Sequence, residues 1–320
     1  MLADIQDLRM IVNAAIVQAR PAYYNLDASL ERAQTLTSDA ARAGAQLVVF
    51  GETWLPGYPA WLDVCPGAAL WDNATTRSLF AELVANSPSV PGPATEALAQ
   101  LARDLGIVLV MGINERCGNT LYNSLLTFDS DGALRNHHRK LRPTYTERLV
   151  WGPGDGAGLR APETAAGRVG ALVCWEHWMP LPRQTLHDAV EQIHVAAWPT
   201  VRDMHQVASR HYAFEGRCFV LAAGSLLRVS DLPPGLETLP ELTPDDLLLR
   251  GGSAIYGPDG AALAGPCFDE ACILHADLDL RLIAQESMTL DVSGHYARPD
   301  VFSLTVNRSR PGAAEATARD

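Results

Sequence analysis

Three observations predict an α/β fold, with helices packed on sheets. Short apolar runs alternate with amphipathic helical patterns along the 320 residues. The runs end at strand-like boundaries with helical patterns between several of them. Two turn signals, Ser130-Asp131-Gly132 and Gly257-Pro258-Asp259-Gly260, each separate two apolar runs, which marks antiparallel hairpins and argues against purely parallel sheets.

Strands are expected at 10–18, 46–50, 107–113, 121–128, 168–173, 193–197, 218–224, 252–256 and 273–278. The first helix, about 26–43, puts Leu26, Leu30, Ala33, Ala40 and Ala41 largely on one face, with Gly44 placed to end it. Segment 94–105 has Pro93 near its start, Gly106 just past its end, and Leu98, Leu101, Ala102 and Leu105 at helical spacing. A further helical run, 204–215, carries His205 and His211, for which solvent or core positions are expected. The stretch 230–247 is rich in Pro, Asp, Glu and Leu without periodicity and reads as a surface insertion. No linker, composition shift or repeat divides the chain, so one domain is expected over 1–308, with 309–320 a flexible tail.

A hydrophobic fraction of 48% with 19% charged residues indicates a folded chain. The formal charge of −12, from 25 basic and 37 acidic residues, disfavours nucleic acid and anionic membranes as partners. No stretch approaches the roughly 20 apolar residues that span a bilayer, and MLADIQDLRM lacks the order of a signal peptide. A cytoplasmic location is expected. Cys65, Cys117, Cys174, Cys218, Cys267 and Cys272 read as free thiols. No CxxC pair, HExxH, GxGxxG or Walker-type loop appears, so neither metal nor cofactor is expected.

Three residues stand where chemistry can be placed. Cys174 ends the apolar run 168–173, and a following helix would offer N–H groups and a positive dipole end to a thiolate. Glu52 follows the run 45–50 and precedes Trp54 and Tyr58, against which a desolvated carboxylate would rise in pKa and serve as a general base. Lys140 lies in the basic cluster 137–142, where an ammonium can stabilise charge developing on a substrate. Read one at a time, each has a bland alternative: a buried small hydrophobe, a loop glutamate and a solvated basic patch.

Together they meet a known pattern. The segments FGETWLPGYP around Glu52, HRKLRPTYTERLVWGPGDG around Lys140 and VCWEHWMPL around Cys174 resemble, in order and spacing, the Glu-Lys-Cys motifs of the nitrilase superfamily of carbon-nitrogen hydrolases. The resemblance extends to GHYARPDVFSLTVN near the C-terminus. It implies a single-domain α-β-β-α sandwich, catalysis by Glu52, Lys140 and Cys174, and a second glutamate, Glu147, that assists them. Trp175-Glu176 after the cysteine and the segment 142–156 are similar to the nitrilase branch, whose members hydrolyse a nitrile to acid and ammonia through a cysteine thioimidate and thioester, with amide as a by-product. Gly51 stands where relatives often have proline, and His177 where many have asparagine.

Proximity to these motifs nominates Trp54, Tyr58, His138, Tyr145, Trp175, His177 and Trp198 as the substrate pocket, suited to aryl, arylalkyl or aliphatic nitriles. Rival readings are an amidase or carbamoylase of the same superfamily, and a non-enzymatic assembly protein. The resemblance also implies a homodimer or a longer spiral, with 230–247 and 295–308 as contact regions.

Overall fold

The structure is a computed structural model that describes residues 10–310. Its strands form two sheets. The first runs through β1 (Ile11–Gln18), β2 (Leu47–Phe50), β3 (Val108–Cys117), β4 (Thr120–Phe128) and β5 (Leu134–Arg139). The second contains β6 (Glu163–Thr164), β7 (Gly167–Val173), β8 (Ile193–Ala197), β9 (Phe219–Ala223), β10 (Leu226–Arg228), β11 (Leu247–Tyr256) and β12 (Ala262–Phe268), and β13 (Cys272–Asp279) returns to the first. Their orders are β13-β1-β2-β3-β4-β5 and β10-β11-β9-β8-β7-β6, with β12 paired to β11. Strands β1, β2 and β3 pair in parallel, as do β7, β8 and β9. The hairpins β3–β4, β4–β5 and β11–β12 are antiparallel.

Both predicted turns are in place. The 130–132 turn joins β4 to β5, and the 257–260 turn joins β11 to β12. Gly132 and Gly260 take φ of 79° and 78°, where a side chain would be strained.

The helices are α1 (Leu26–Arg42), the short α2 (Trp61–Val64), α3 (Ala74–Asn86), α4 (Pro93–Leu105), α5 (Pro180–Asp188), α6 (Asp203–Gly216) and α7 (Arg281–Ser287). Asn25 caps α1 by accepting from Ala28 N at 3.0 Å, and Gly106 closes α4 with φ 64°. In β1, Val12, Ala14 and Ile16 join the core between the sheets, whereas Ala15 and Val17 pack with Ala33 and Ala40 of α1 and Leu98 and Ala102 of α4. Because both faces are buried, the strand reads as an almost unbroken apolar run. On the other side Leu186 of α5 and Ala208, Tyr212 and Ala213 of α6 cover the second sheet. The layers are therefore helix, sheet, sheet, helix, as the family resemblance implies.

Several elements depart from expectation. Strand β5 is absent from the expected set, because HHR reads as polar loop. Its charges are met by buried partners: Arg139 Nε and His137 Nε2 reach Glu115 Oε2 at 2.9 and 2.7 Å. Strand β11 starts at Leu247 instead of 252, since Leu247 and Leu249 pair with β10. The 230–247 stretch is surface chain, yet Leu232 and Leu236 anchor it against Ala60 and Tyr58. Of the expected tail, residues 311–320 lie outside the described residues, and Arg310 is not loose: its Nε contacts Asp155 Oδ2 at 3.0 Å.

Candidate active site

The three strand-end candidates converge. Glu52 follows β2, Lys140 follows β5 directly and Cys174 follows β7, so parallel and antiparallel strands of both sheets deliver them to one end of the sandwich. A carboxylate oxygen of Glu52, one of Glu147 and Cys174 Sγ lie within 4.8 Å of one another. Lys140 Nζ donates to Glu52 Oε1 at 2.9 Å and to Glu147 Oε2 at 2.7 Å. Asn123 Nδ2 donates to the same Glu52 oxygen at 2.6 Å. The other, Oε2, has no hydrogen-bond partner among the described residues. It is free to take a proton.

Glu147 is fixed from three sides. Thr144 N donates to Oε2 at 2.7 Å and Tyr58 Oη to Oε1 at 3.0 Å, alongside the Lys140 ammonium. An acidic cluster of two carboxylates and a thiol can suit a cation, and Lys140 supplies the positive charge between the carboxylates.

Burial shapes the charges. It pushes the Glu52 carboxyl up to about 7, against the pull of the Lys140 ammonium. Burial lowers Lys140, but Glu52, Cys174 and Glu147 more than reverse this and hold it charged. Burial and the neighbouring Glu52 raise the Cys174 thiol well above its usual range, opposed by Lys140 and the Trp175 N–H. The Cys174 sulfur is therefore held as a thiol, and attack by it would need a base beside it.

Backbone strain gathers here. Cys174, Thr53 and Tyr145 take φ of 53°, 45° and 44°, a left-handed conformation that costs a non-glycine residue about 1–3 kcal/mol. At Cys174 the turn throws Sγ off the strand end into the cleft. In place of the expected helix, β7 runs into a five-residue 3₁₀ turn, Cys174–Trp178, so the Trp175 N–H itself supplies the nearest backbone donor.

Glu176 holds this turn to its neighbour. It is buried, accepts from Val173 N and Leu141 N at 2.7 Å each, and lies 2.9 Å from His138 Nε2. One carboxylate thus ties the residue before Cys174 to the residue after Lys140. Burial raises this carboxyl, but His138 and the two N–H groups outweigh it and keep it below the usual range. Neither Glu176 nor Asn123 stands out in the sequence for these roles. The only signal for Asn123 is a polar residue inside an apolar strand.

The site opens into a cavity of about 970 Å³. Tyr58, Tyr145 and Trp175 line it, together with Trp178, His205, Leu249 and others. Trp54, His138, His177 and Trp198 do not. Trp54 turns to the helix side, donating to Ala19 O at 2.9 Å and packing on Phe50. His138 is spent on Glu176. His177 and Trp198 stack at 4.7 Å and are buried behind the cavity. Trp198 also stacks on His205 at 4.4 Å, so it supports the wall from behind. His205 thus lines the cavity, whereas His211 is exposed.

The family model for carbon-nitrogen hydrolases matches residues 13–286. The chain belongs to the carbon-nitrogen hydrolase family. A bifunctional nitrilase/nitrile hydratase of Nicotiana tabacum is 42% identical over 300 residues, 92% of this chain and 86% of that protein. An aliphatic nitrilase of Sinorhizobium fredii is 41% identical over 302 residues, 94% of this chain and 97% of that protein. Among solved structures, a carbon-nitrogen hydrolase of Helicobacter pylori superposes with a TM-score of 0.72 at 19% identity, over 92% of this chain and 98% of that one. That likeness supports the sandwich fold of this family member. No helix among the described residues is long and apolar enough to cross a membrane.

Proposed function

We propose that this chain is a nitrilase that converts an organic nitrile and two waters to a carboxylic acid and ammonia. The observation that carries the reading is a strained, buried Cys174 beside a Glu52 oxygen with no other partner, in a chain about 40% identical to nitrilases over nearly its whole length.

Glu52 Oε2 takes the Cys174 proton as the sulfur attacks the nitrile carbon, and the nitrile nitrogen receives that proton to give a thioimidate. Water, deprotonated by Glu52, adds to the thioimidate carbon. Lys140 and the Trp175 N–H stabilise the tetrahedral intermediate. Breaking its C–N bond releases ammonia and leaves a thioester. A second water, activated by Glu52 and positioned through Glu147, breaks the C–S bond, releasing the acid and restoring the thiol. If C–S cleavage precedes C–N cleavage, amide leaves instead. Tyr58, Tyr145, Trp175 and Trp178 suit an aryl, arylalkyl or aliphatic side chain in the cavity.

Ammonia and acid release from matched nitriles and amides tests the reading, with Cys174→Ala alongside. Turnover of nitriles that vanishes in the variant is expected. Turnover of amides alone would move the chain to the amidase reading, and none at all would favour the assembly reading.

Association into a homodimer or longer spiral is part of the proposal. Tyr296, Val301 and Phe302 are exposed at 63%, 57% and 77%, and such large apolar side chains clustered in 295–308 favour a partner surface. A strictly monomeric species in light scattering would contradict this.

A further inference from the structure

We infer that Glu191, His194 and His177 form a buried proton relay that polarises the Cys174–Trp175 peptide, making both histidines positioning residues for the nucleophile. The reaction this serves is the nitrile hydrolysis proposed above, while the relay itself stands on geometry.

Hydrogen counting gives the charge. His177 Nδ1 lies 2.7 Å from Cys174 O, and a carbonyl oxygen only accepts, so that nitrogen carries a hydrogen. His194 Nδ1 lies 2.9 Å from Glu191 Oε2. Burial raises Glu191, but His194 and His187 outweigh it and pull it down to about 2, so the carboxylate also only accepts. The two Nε2 atoms face each other at 3.0 Å, and one of them must supply the hydrogen between them. Three hydrogens therefore sit on four ring nitrogens, where two neutral rings would carry two. The pair holds one extra proton and one positive charge. Burial and the neighbouring His194 push His177 well below the histidine range, so His177 takes the neutral role and accepts at Nε2.

The surroundings are shaped for this cluster. Glu191 and both histidines are buried. Tyr212 Oη donates to Glu191 Oε1, and the His194 ring stacks on Tyr212 at 3.7 Å. A Cβ added to Gly170 of β7 would lie 1.9 Å from Glu191 Oε2, so a side chain there would displace the carboxylate from its present place. His187 of α5 stands 3.5 Å from Glu191 Oε1 and 3.3 Å from Glu215 Oε2 of α6. Arg183 binds Glu215 at 2.8 Å and donates to His177 O at 3.1 Å. The buried Cys218 thiol, raised by burial and by Glu191, stands ahead of β9.

The consequence reaches the nucleophile through one peptide plane. The carbonyl of Cys174 and the N–H of Trp175 share a resonance-coupled amide. Drawing electron density onto that oxygen makes the N–H a stronger donor, as hydrogen bonds in a chain polarise one another. This N–H already opposes the rise of the Cys174 pKa, and it is the backbone donor offered to the tetrahedral intermediate.

Two measurements decide the point. In ¹⁵N-histidine-labelled protein at neutral pH, one ring of the pair should carry two hydrogens and the other one. A single hydrogen on each ring would overturn the relay, and this readout needs no variant. The second measures iodoacetamide alkylation of the Cys174 peptide by mass spectrometry across pH. His194→Gln still donates to His177 but carries no charge, and His194→Phe donates nothing. Alkylation at neutral pH should slow by about tenfold in His194→Phe, the weight of one charge-assisted hydrogen bond, and by less in His194→Gln, with kcat falling in step and KM unmoved. Identical alkylation profiles in all three proteins would overturn the proposal. Alkylation requires no nitrile, so slowed alkylation in a chain that hydrolyses no nitrile would uphold the relay and defeat the nitrilase reading. Unaltered alkylation with full nitrile turnover would defeat the relay alone.

Discussion

Replacing Glu176 by glutamine tests whether the end of the sandwich that carries Lys140 and Cys174 is held together by one carboxylate. The side chain keeps its shape, but one acceptor oxygen becomes an NH₂ group. The two oxygens accept from Leu141 N and Val173 N at 2.7 Å each, so in either amide orientation a donor faces a donor. A hydrogen bond to a charged group contributes about 1.5–3 kcal/mol, and a buried N–H left without a partner costs about 1–3 kcal/mol. His138 Nε2, at 2.9 Å, loses its charged acceptor as well. Glu176→Gln should therefore cost about 3–5 kcal/mol. Urea unfolding reads this as a lower midpoint at unchanged slope. Activity should fall further than stability predicts, because Val173 and Leu141 flank Cys174 and Lys140. Loss of less than about 1 kcal/mol with unchanged kcat would refute the reasoning.

The buried charges set three further outcomes. Glu52, raised by burial to about 7, must be deprotonated to act as base, so kcat/KM should climb as pH rises through about 7; a rate flat from pH 5 to 8 would count against it. Lys140→Met would leave Glu52 and Glu147 without the ammonium between them, which should cost about 3–5 kcal/mol and move the rise in kcat/KM to higher pH; an unmoved profile would contradict the assigned pairing. Glu115, Glu191 and Glu215 are each pulled from 4.5 down to about 2, where ion pairs and hydrogen bonds outweigh the upward push of burial. A depressed carboxyl contributes stability that is full above its unfolded value and lost as pH falls through its folded one. The urea midpoint should accordingly drop between pH 4.5 and 2, and a midpoint constant over that window would disprove the ion pairing.

The layered fold is legible in the sequence where burial is two-sided. Strands β1, β2, β7 and β8 are mostly apolar on both faces, so they stand out as runs, and α1 and α4 announce themselves by their caps. Strand β5 is hidden because HHR is polar and its partners, Glu115 and Glu176, lie far off in sequence. In the site, the strand-end positions of Glu52 and Cys174 are readable, and motif order links them to Lys140. Their convergence is not: the Glu52–Lys140 contact joins residues 88 positions apart, and only the sheet registers bring them together. The pocket is the least legible part, because closeness in sequence says nothing about which way a ring turns. Trp54, His138, His177 and Trp198 each find a buried partner, while His205 and Leu249 reach the cavity from positions that carry no sequence signal for it.

Acid-quenching the protein during turnover of a nitrile, then weighing its peptides by mass spectrometry, tests the covalent claim most directly. The nitrilase account predicts an acyl or imidoyl adduct on the peptide bearing Cys174, absent when substrate is exhausted. Steady turnover with that peptide unmodified, or with the adduct on another residue, would contradict it.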